Sequence, residues 1–226
     1  MKKLFIILGI FVVLILGCIY LKNHFYNPTS KHEIAQNEVA KLTKKNIIQD
    51  GDLIFHASLS SQSKAIQLAT KSKYSHCGII YKLNAEYYVF EAVQPVKLTP
   101  LDKWIARGKD GKYVIKRLKN ADEVLTVETL KLMQQIGEIY MGKSYDLTFE
   151  WSDEEIYCSE LIWKIYQKAT GIEIGKLERL SDFDLSHEIV QTKMKERYGK
   201  DIPLNETVIS PKAIFESNLL KTVKRN

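Results

Sequence analysis

The sequence predicts an α+β fold, an antiparallel sheet with helices packed on it, from three observations. First, 226 residues of which 45% are hydrophobic are enough to bury one sizeable core. Second, residues 74–81 and 86–93 are two neighbouring runs rich in Tyr, Val, Ile and Phe, separated by Lys82-Leu83-Asn84-Ala85, which reads as a hairpin with a four-residue loop. Third, Cys158, Leu161, Ile162, Ile165, Tyr166 and Ala169 recur at helical spacing, with Gly171 where a C-terminal cap belongs.

The elements follow in order. Lys2 and Lys3 precede Leu4–Leu21 (LFIILGIFVVLILGCIYL), eighteen residues without a charge, long enough at ~1.5 Å per residue to nearly cross a bilayer core of ~30 Å. Within it, Ile15-Leu16-Gly17-Cys18 resembles a bacterial lipobox, in which the cysteine is lipidated. Three readings of residues 1–21 stay open: an uncleaved signal-anchor, a lipoprotein signal acylated at Cys18, and a cleaved signal. All three export the rest of the chain to the bacterial cell envelope, the first two with the domain tethered to the membrane. Residues 22–45 are polar, contain Pro28, and read as a tether leading into a short helix; the domain is expected over 46–226. Within it, Gly51–His56 reads as a turn feeding a strand, Ser60–Lys71 as a short helix, and the hairpin follows. Leu98–Arg107 reads as a short helical connection, Lys112–Leu118 as a third strand, Thr126–Met141 as a helix ending at Gly142, and the Cys158 helix comes next. The remainder, including Asp184–Val190 (DLSHEIV), Pro203 and Pro211, carries no clear period.

The net charge of +6 suits an anionic surface, yet the lysines are scattered along the chain without a run of five like charges, which reads as a solvated basic surface. No basic stripe interleaved with aromatics and no finger motif asks for nucleic acid. The cysteines are Cys18, Cys77 and Cys158; two in an exported domain do not make a disulfide framework, so a functional reading of at least one is open.

His76 and Cys77 are adjacent, but strand neighbours point to opposite faces. If Tyr81 pairs with Glu86, paired positions sum to 167, and His76 lies opposite Glu91 with Cβ atoms ~4.5–5.5 Å apart. Gly78 leaves a gap on that same face. Cys77, on the other face, reads as a small buried apolar residue. The nucleophile is then sought at Cys158, in Tyr157-Cys158-Ser159-Glu160-Leu161. Helix N-terminal N–H groups and a nearby imidazolium stabilise a thiolate, while His76 acts as base and acid and Glu91 orients it. The alternative is a core cysteine on the apolar stripe. Ser152-Asp153-Glu154-Glu155 is a candidate capping box that would start the helix earlier and bury Cys158 in its second turn. A metal site of His56, His76, Cys77 and Cys158 lacks ligand spacing, and adjacent strand residues do not face one ion.

These residues carry a resemblance. GDLIF, SHCGIIY, YYVFEA, GKSYDLTFEW and IYCSELIW, in that order, are similar to the circularly permuted papain-like hydrolases related to NlpC cell-wall peptidases, the YaeF/YiiX group. The resemblance runs from about Gly51 to Tyr166 and implies a permuted papain-like (NlpC-type) fold. It implies Cys158 as nucleophile, His76 as general base and Glu91 as the orienting residue, with no cofactor. Tyr145 resembles the NlpC tyrosine that helps form the oxyanion hole with the backbone N–H of the cysteine. The glycines that follow that tyrosine in ordinary NlpC enzymes are replaced here by Asp146-Leu147-Thr148, and Tyr157 stands where they have aspartate. The implied activity is a cysteine amidase or peptidase acting on peptide or amino-acid-type amides, with peptidoglycan peptides natural for an exported enzyme. Two alternatives accompany it: an acyltransferase or thioesterase that passes a lipid acyl group through the same cysteine, and an idle binding module that keeps the groove without turnover.

Overall fold

The computed structural model describes residues 28–226; the apolar stretch 4–21 and Cys18 lie outside the described residues. Among the described residues no helix is long and apolar enough to cross a membrane. In chain order the helices are α1 (Pro28–Lys44), α2 (Ser61–Thr70), α3 (Leu101–Arg107), α4 (Ala121–Val124), α5 (Val127–Tyr140), α6 (Cys158–Thr170), α7 (Glu188–Tyr198) and α8 (Pro211–Phe215). The strands are β1 (Leu53–His56), β2 (His76–Leu83), β3 (Glu86–Glu91), β4 (Lys97–Pro100), β5 (Val114–Leu118), β6 (Glu178–Arg179), β7 (Thr207–Val208) and β8 (Leu220–Arg225). One six-stranded sheet runs β4-β3-β2-β1-β5-β8, and β6 pairs with β7 separately. Every paired neighbour in the large sheet is antiparallel.

Alternation along the strands divides the core in two. Ile54, Ile80, Val89 and Ile115 pack against Ala35 and Leu42 of α1 and Leu101, Trp104 and Ile105 of α3. Phe55, Cys77, Ile79, Tyr81 and Phe90 point to the other face, against Met133 and Ile136 of α5 and Leu161, Ile162 and Ile165 of α6. Each fully buried aliphatic or aromatic side chain contributes about 1.5–3 kcal/mol, so both faces are strongly driven to close. The described part of the expected tether is thus a 17-residue helix whose Ala35 and Leu42 are buried against the sheet. A third cluster joins Ala65 of α2 to Val190 and Met194 of α7.

The hairpin departs from its expected register. Leu83 pairs with Glu86 and Tyr81 with Tyr88, so paired positions sum to 169 rather than 167 and the loop is Asn84-Ala85. Both loop residues have positive φ, 49° and 69°, the mirror-image turn whose twist matches a two-residue hairpin. A slip of two residues leaves every side chain on its face. His76 and Glu91 therefore still share a face, now diagonal to one another. Leu98–Arg107 also divides: Lys97–Pro100 is strand β4, paired with β3, and the helix begins only at Leu101.

Candidate active site

The site is built outward from Glu91, at the end of β3 and with no exposed surface. Its carboxylate accepts four hydrogen bonds: from His76 Nε2 at 2.6 Å, Thr99 Oγ1 at 2.6 Å, Trp104 Nε1 at 2.8 Å and Arg107 Nη2 at 2.5 Å. Burial alone would raise its pKa; the bond and charge of His76, with Arg107 and Thr99, outweigh that and hold it at about 2. Sequence reasoning found Glu91 but none of its three other partners. They come from β4 and α3, the segment whose strand half it missed.

Because Glu91 takes Nε2–H of His76, Nδ1 is left for Cys158, the largest influence raising the pKa of the ring. Burial disfavours the imidazolium, but the Cys158 thiolate and then Glu91 raise the pKa of His76 to about 9. His56 lies behind it. Its ring stacks on Trp104 at 3.8 Å and stands 5.4 Å from His76. Both ring nitrogens of His56 are buried without a hydrogen-bond partner, and burial followed by the His76 charge keeps its pKa well below the usual range. It is a neutral packing residue.

Cys158 is the first residue of α6. The helix starts there rather than at Ser152, because the box that closes is Glu160 accepting from the Tyr157 N–H, at 3.4 Å. The Tyr157 hydroxyl is in turn held by the Ile209 N–H at 3.1 Å. Cys158 thus lies in the first turn, where helix N–H groups favour an anion. Its thiol pKa is held well below the ordinary value. The largest cause is a hydrogen bond from the Cys77 thiol; burial opposes it, and the charge and hydrogen bond of His76 and a backbone hydrogen bond from Cys77 add to it. Cys77 is fully buried as expected, yet it is more than filler, since it is the largest cause of the lowered Cys158 pKa. Burial, followed by hydrogen bonding to and the charge of Cys158, pushes its own thiol well up. His76 and Cys77, on opposite faces of β2, therefore both reach Cys158.

Tyr145 is joined to Ile156 by a short parallel bridge, which holds it near the start of α6. Burial and the Cys158 thiolate push its phenol well up. Its hydroxyl accepts from Gln62 Nε2 at 3.1 Å, which leaves its own proton to donate. Nothing in the sequence singled out Gln62: it sits on the second position of an ordinary short helix, and only the fold brings α2 to the 145–156 segment. Gln62, Ile66 and Tyr145 separate two clefts. One, of about 670 Å³, is walled by apolar residues of α2 and α7 such as Ala65, Val190 and Met194, and Cys158 lines it. The other, of about 1250 Å³, holds His76, Arg107 and the hydroxyls of Ser58, Ser60, Ser63 and Ser75.

A buried cysteine, a histidine and a carboxylate hydrogen-bonded to that histidine lie in chain order His, Glu, Cys on an antiparallel sheet and the helix packed against it. Residues 47–224 match the family model of permuted papain-like amidase enzymes, the YaeF/YiiX, C92 family. The chain belongs to that family. It is 53% identical over 177 residues to the uncharacterized protein YiiX of Escherichia coli K12, covering 78% of this chain and 86% of that one. The crystal structure of metalloprotein yiiX from Escherichia coli O157:H7 superposes with a TM-score of 0.75 at 53% identity, covering 79% of this chain and 97% of that chain. The permuted fold and the amidase family thus agree with the order of motifs in the sequence.

Proposed function

We propose that this C92-family protein is an exported, membrane-tethered cysteine hydrolase that cleaves an amide bond of a peptide or amino-acid-type substrate, cell-wall peptides being the natural class for such a location. The observation that carries the reading is the continuous buried chain from Glu91 through His76 to Cys158, with Nε2 of the imidazole 2.6 Å from the carboxylate. Export and tethering rest on the uncharged run 4–21.

In this reading the Cys158 thiolate attacks the amide carbonyl carbon, and the oxyanion is held by the Tyr145 hydroxyl and the backbone N–H of Cys158. The C–N bond breaks as His76 delivers its proton to the departing amine, leaving a thioester on Cys158. Water then attacks the thioester and gives a proton to His76; the acid leaves and the thiolate–imidazolium pair is restored. Glu91 stays ionised throughout and fixes the ring. The related Escherichia coli protein is a metalloprotein by name, which raises a metal reading. Among the described residues no group of three or more His, Cys, Asp or Glu side chains is arranged to hold an ion.

A second reading in the same site, transfer or hydrolysis of a lipid acyl group, is favoured by one observation: the cleft lined by Cys158 is walled mostly by apolar side chains. The test is product analysis on a panel of peptide amides and acyl esters. Amine release from murein-type peptides, abolished by Cys158→Ala and by His76→Ala with the circular dichroism spectrum unchanged, supports the amidase. Acyl transfer without amine release supports the second reading, and turnover that survives Cys158→Ala refutes both.

A further inference from the structure

The fold gathers lysines that are scattered in sequence. A cleft of about 1690 Å³ is lined by Lys64, Lys71, Lys73, Lys109, Lys112 and Arg225, against only Asp110 and Glu216 among acids. These six cations come from three stretches of chain: α2 and the turn after it, the turn following α3, and the end of β8. All six are exposed. Lys71 is paired with Asp184 at 3.1 Å, and Glu216 is taken by Lys212 at 2.7 Å. Lys64, Lys73, Lys109, Lys112 and Arg225 enter no salt bridge among the described residues. Like charges held together with few counter-ions repel, and that cost is relieved when an anionic surface approaches.

α2 fixes the relation of this cleft to the candidate active site. Gln62, Ala65, Ile66 and Ala69 line the clefts at Cys158 and His76. Lys64, Gln67, Leu68 and Lys71, at i, i+3, i+4 and i+7, line the basic one. Tyr74 and Phe215, 4.3 Å apart between ring centroids, add aromatic surface to the same cleft, the mixture suited to a headgroup region. We propose that this basic face docks the folded domain onto an anionic phospholipid bilayer, with the two substrate clefts one helix width from the membrane contact. The proposal goes beyond the tethering reading, because the contact is made by the domain itself and not by residues 4–21.

The experiment is lysine acetylation footprinting of the full-length chain reconstituted with vesicles of phosphatidylcholine alone or containing phosphatidylglycerol, with sedimentation measured alongside. The expected result is slower acetylation of Lys64, Lys73, Lys109 and Lys112 on the anionic vesicles only, reversed by high salt, while Lys82 and Lys131, which do not line the cleft, label at the same rate on both. Each lysine-to-glutamine change at those four positions should weaken the docking equilibrium about fivefold. Equal labelling on the two vesicle types overturns the proposal, as does protection by soluble polyphosphate but not by phosphatidylglycerol. Failure to sediment with neutral vesicles would instead sink the tethering reading, and the phosphatidylglycerol arm would still decide the face.

Discussion

Replacing Glu91 by glutamine keeps the shape of the side chain and removes its charge. With its oxygen in the position of Oε2 the amide still accepts from His76, Trp104 and Arg107, and Thr99 can rotate to accept from the new NH₂. What is lost is the anion facing two cations. Removing one partner of a buried ion pair costs about 3–5 kcal/mol. The Arg107 side chain is 39% exposed and can turn toward water, so the low end applies, about 3 kcal/mol, or roughly 6–12 °C in Tm for a domain of this size. The pH dependence carries the sign. His76, raised to about 9, contributes stability that is complete below its unfolded pKa of about 6.5 and is lost as pH rises through about 9. Glu91, lowered to about 2, contributes stability that is complete above its unfolded value of about 4.3 and is lost as pH falls through about 2. Urea melts should therefore show the full Glu91→Gln penalty near about pH 6 and a smaller one near about pH 10, where His76 is neutral in both proteins. A penalty below about 1 kcal/mol at the lower pH, or one that does not shrink at the higher, refutes the ion pair.

Three further predictions follow from the same geometry. Gln62→Glu turns the donor facing Tyr145 into an acceptor, so the tyrosine proton is drawn away from the oxyanion. Steady-state kinetics should show kcat falling about 10²–10³-fold, as for Tyr145→Phe, with Gln62→Ala costing less and neither change adding to Tyr145→Phe. Gly78→Ala drives a Cβ into Val89 Cγ1 and to 2.8 Å from the Phe90 backbone oxygen. β3 must then move, the His76–Glu91 bond that spans this gap lengthens, and denaturation should report a loss of about 1–3 kcal/mol together with reduced turnover. Cys77→Ala removes the largest cause of the low Cys158 pKa; the acid limb of the pH–rate profile should shift to higher pH, and an unshifted limb would mean that the thiol contact is inert.

What the sequence made legible was whatever depended on period. Faces are a property of odd and even positions, so His76 and Glu91 came out on one side and Cys77 on the other even though the register was off by two. The turn itself was misjudged because Asn84-Ala85 lacks the glycine that usually marks a two-residue loop, and Ala85 takes a positive φ of 69° without advertising it. β4 is four residues long and buries only Thr99, too short to show alternation next to a helix that starts immediately after it. β8 buries only Leu220 of its six residues, so its edge position was invisible. Tyr145 came from the resemblance alone, and its partner Gln62 carries no chemical label in a sequence. The start of α6 was undecided between the Ser152-Asp153-Glu154-Glu155 capping box and a later start at Cys158 until tertiary contacts, the Ile209 N–H to the Tyr157 hydroxyl among them, selected the later one.

The most direct measurement of the proposed catalytic centre is the rate of Cys158 alkylation by iodoacetamide as a function of pH, followed by peptide mass spectrometry in the wild-type chain and in His76→Ala. A thiolate held by His76 and Cys77 should alkylate at a rate that reaches its plateau well below the ordinary thiol pKa of about 8.5, and His76→Ala should move that plateau to higher pH, with Cys77 unlabelled throughout. Alkylation of Cys158 only above about pH 8.5, unchanged by His76→Ala, or faster labelling of Cys77 than of Cys158, would contradict the assignment.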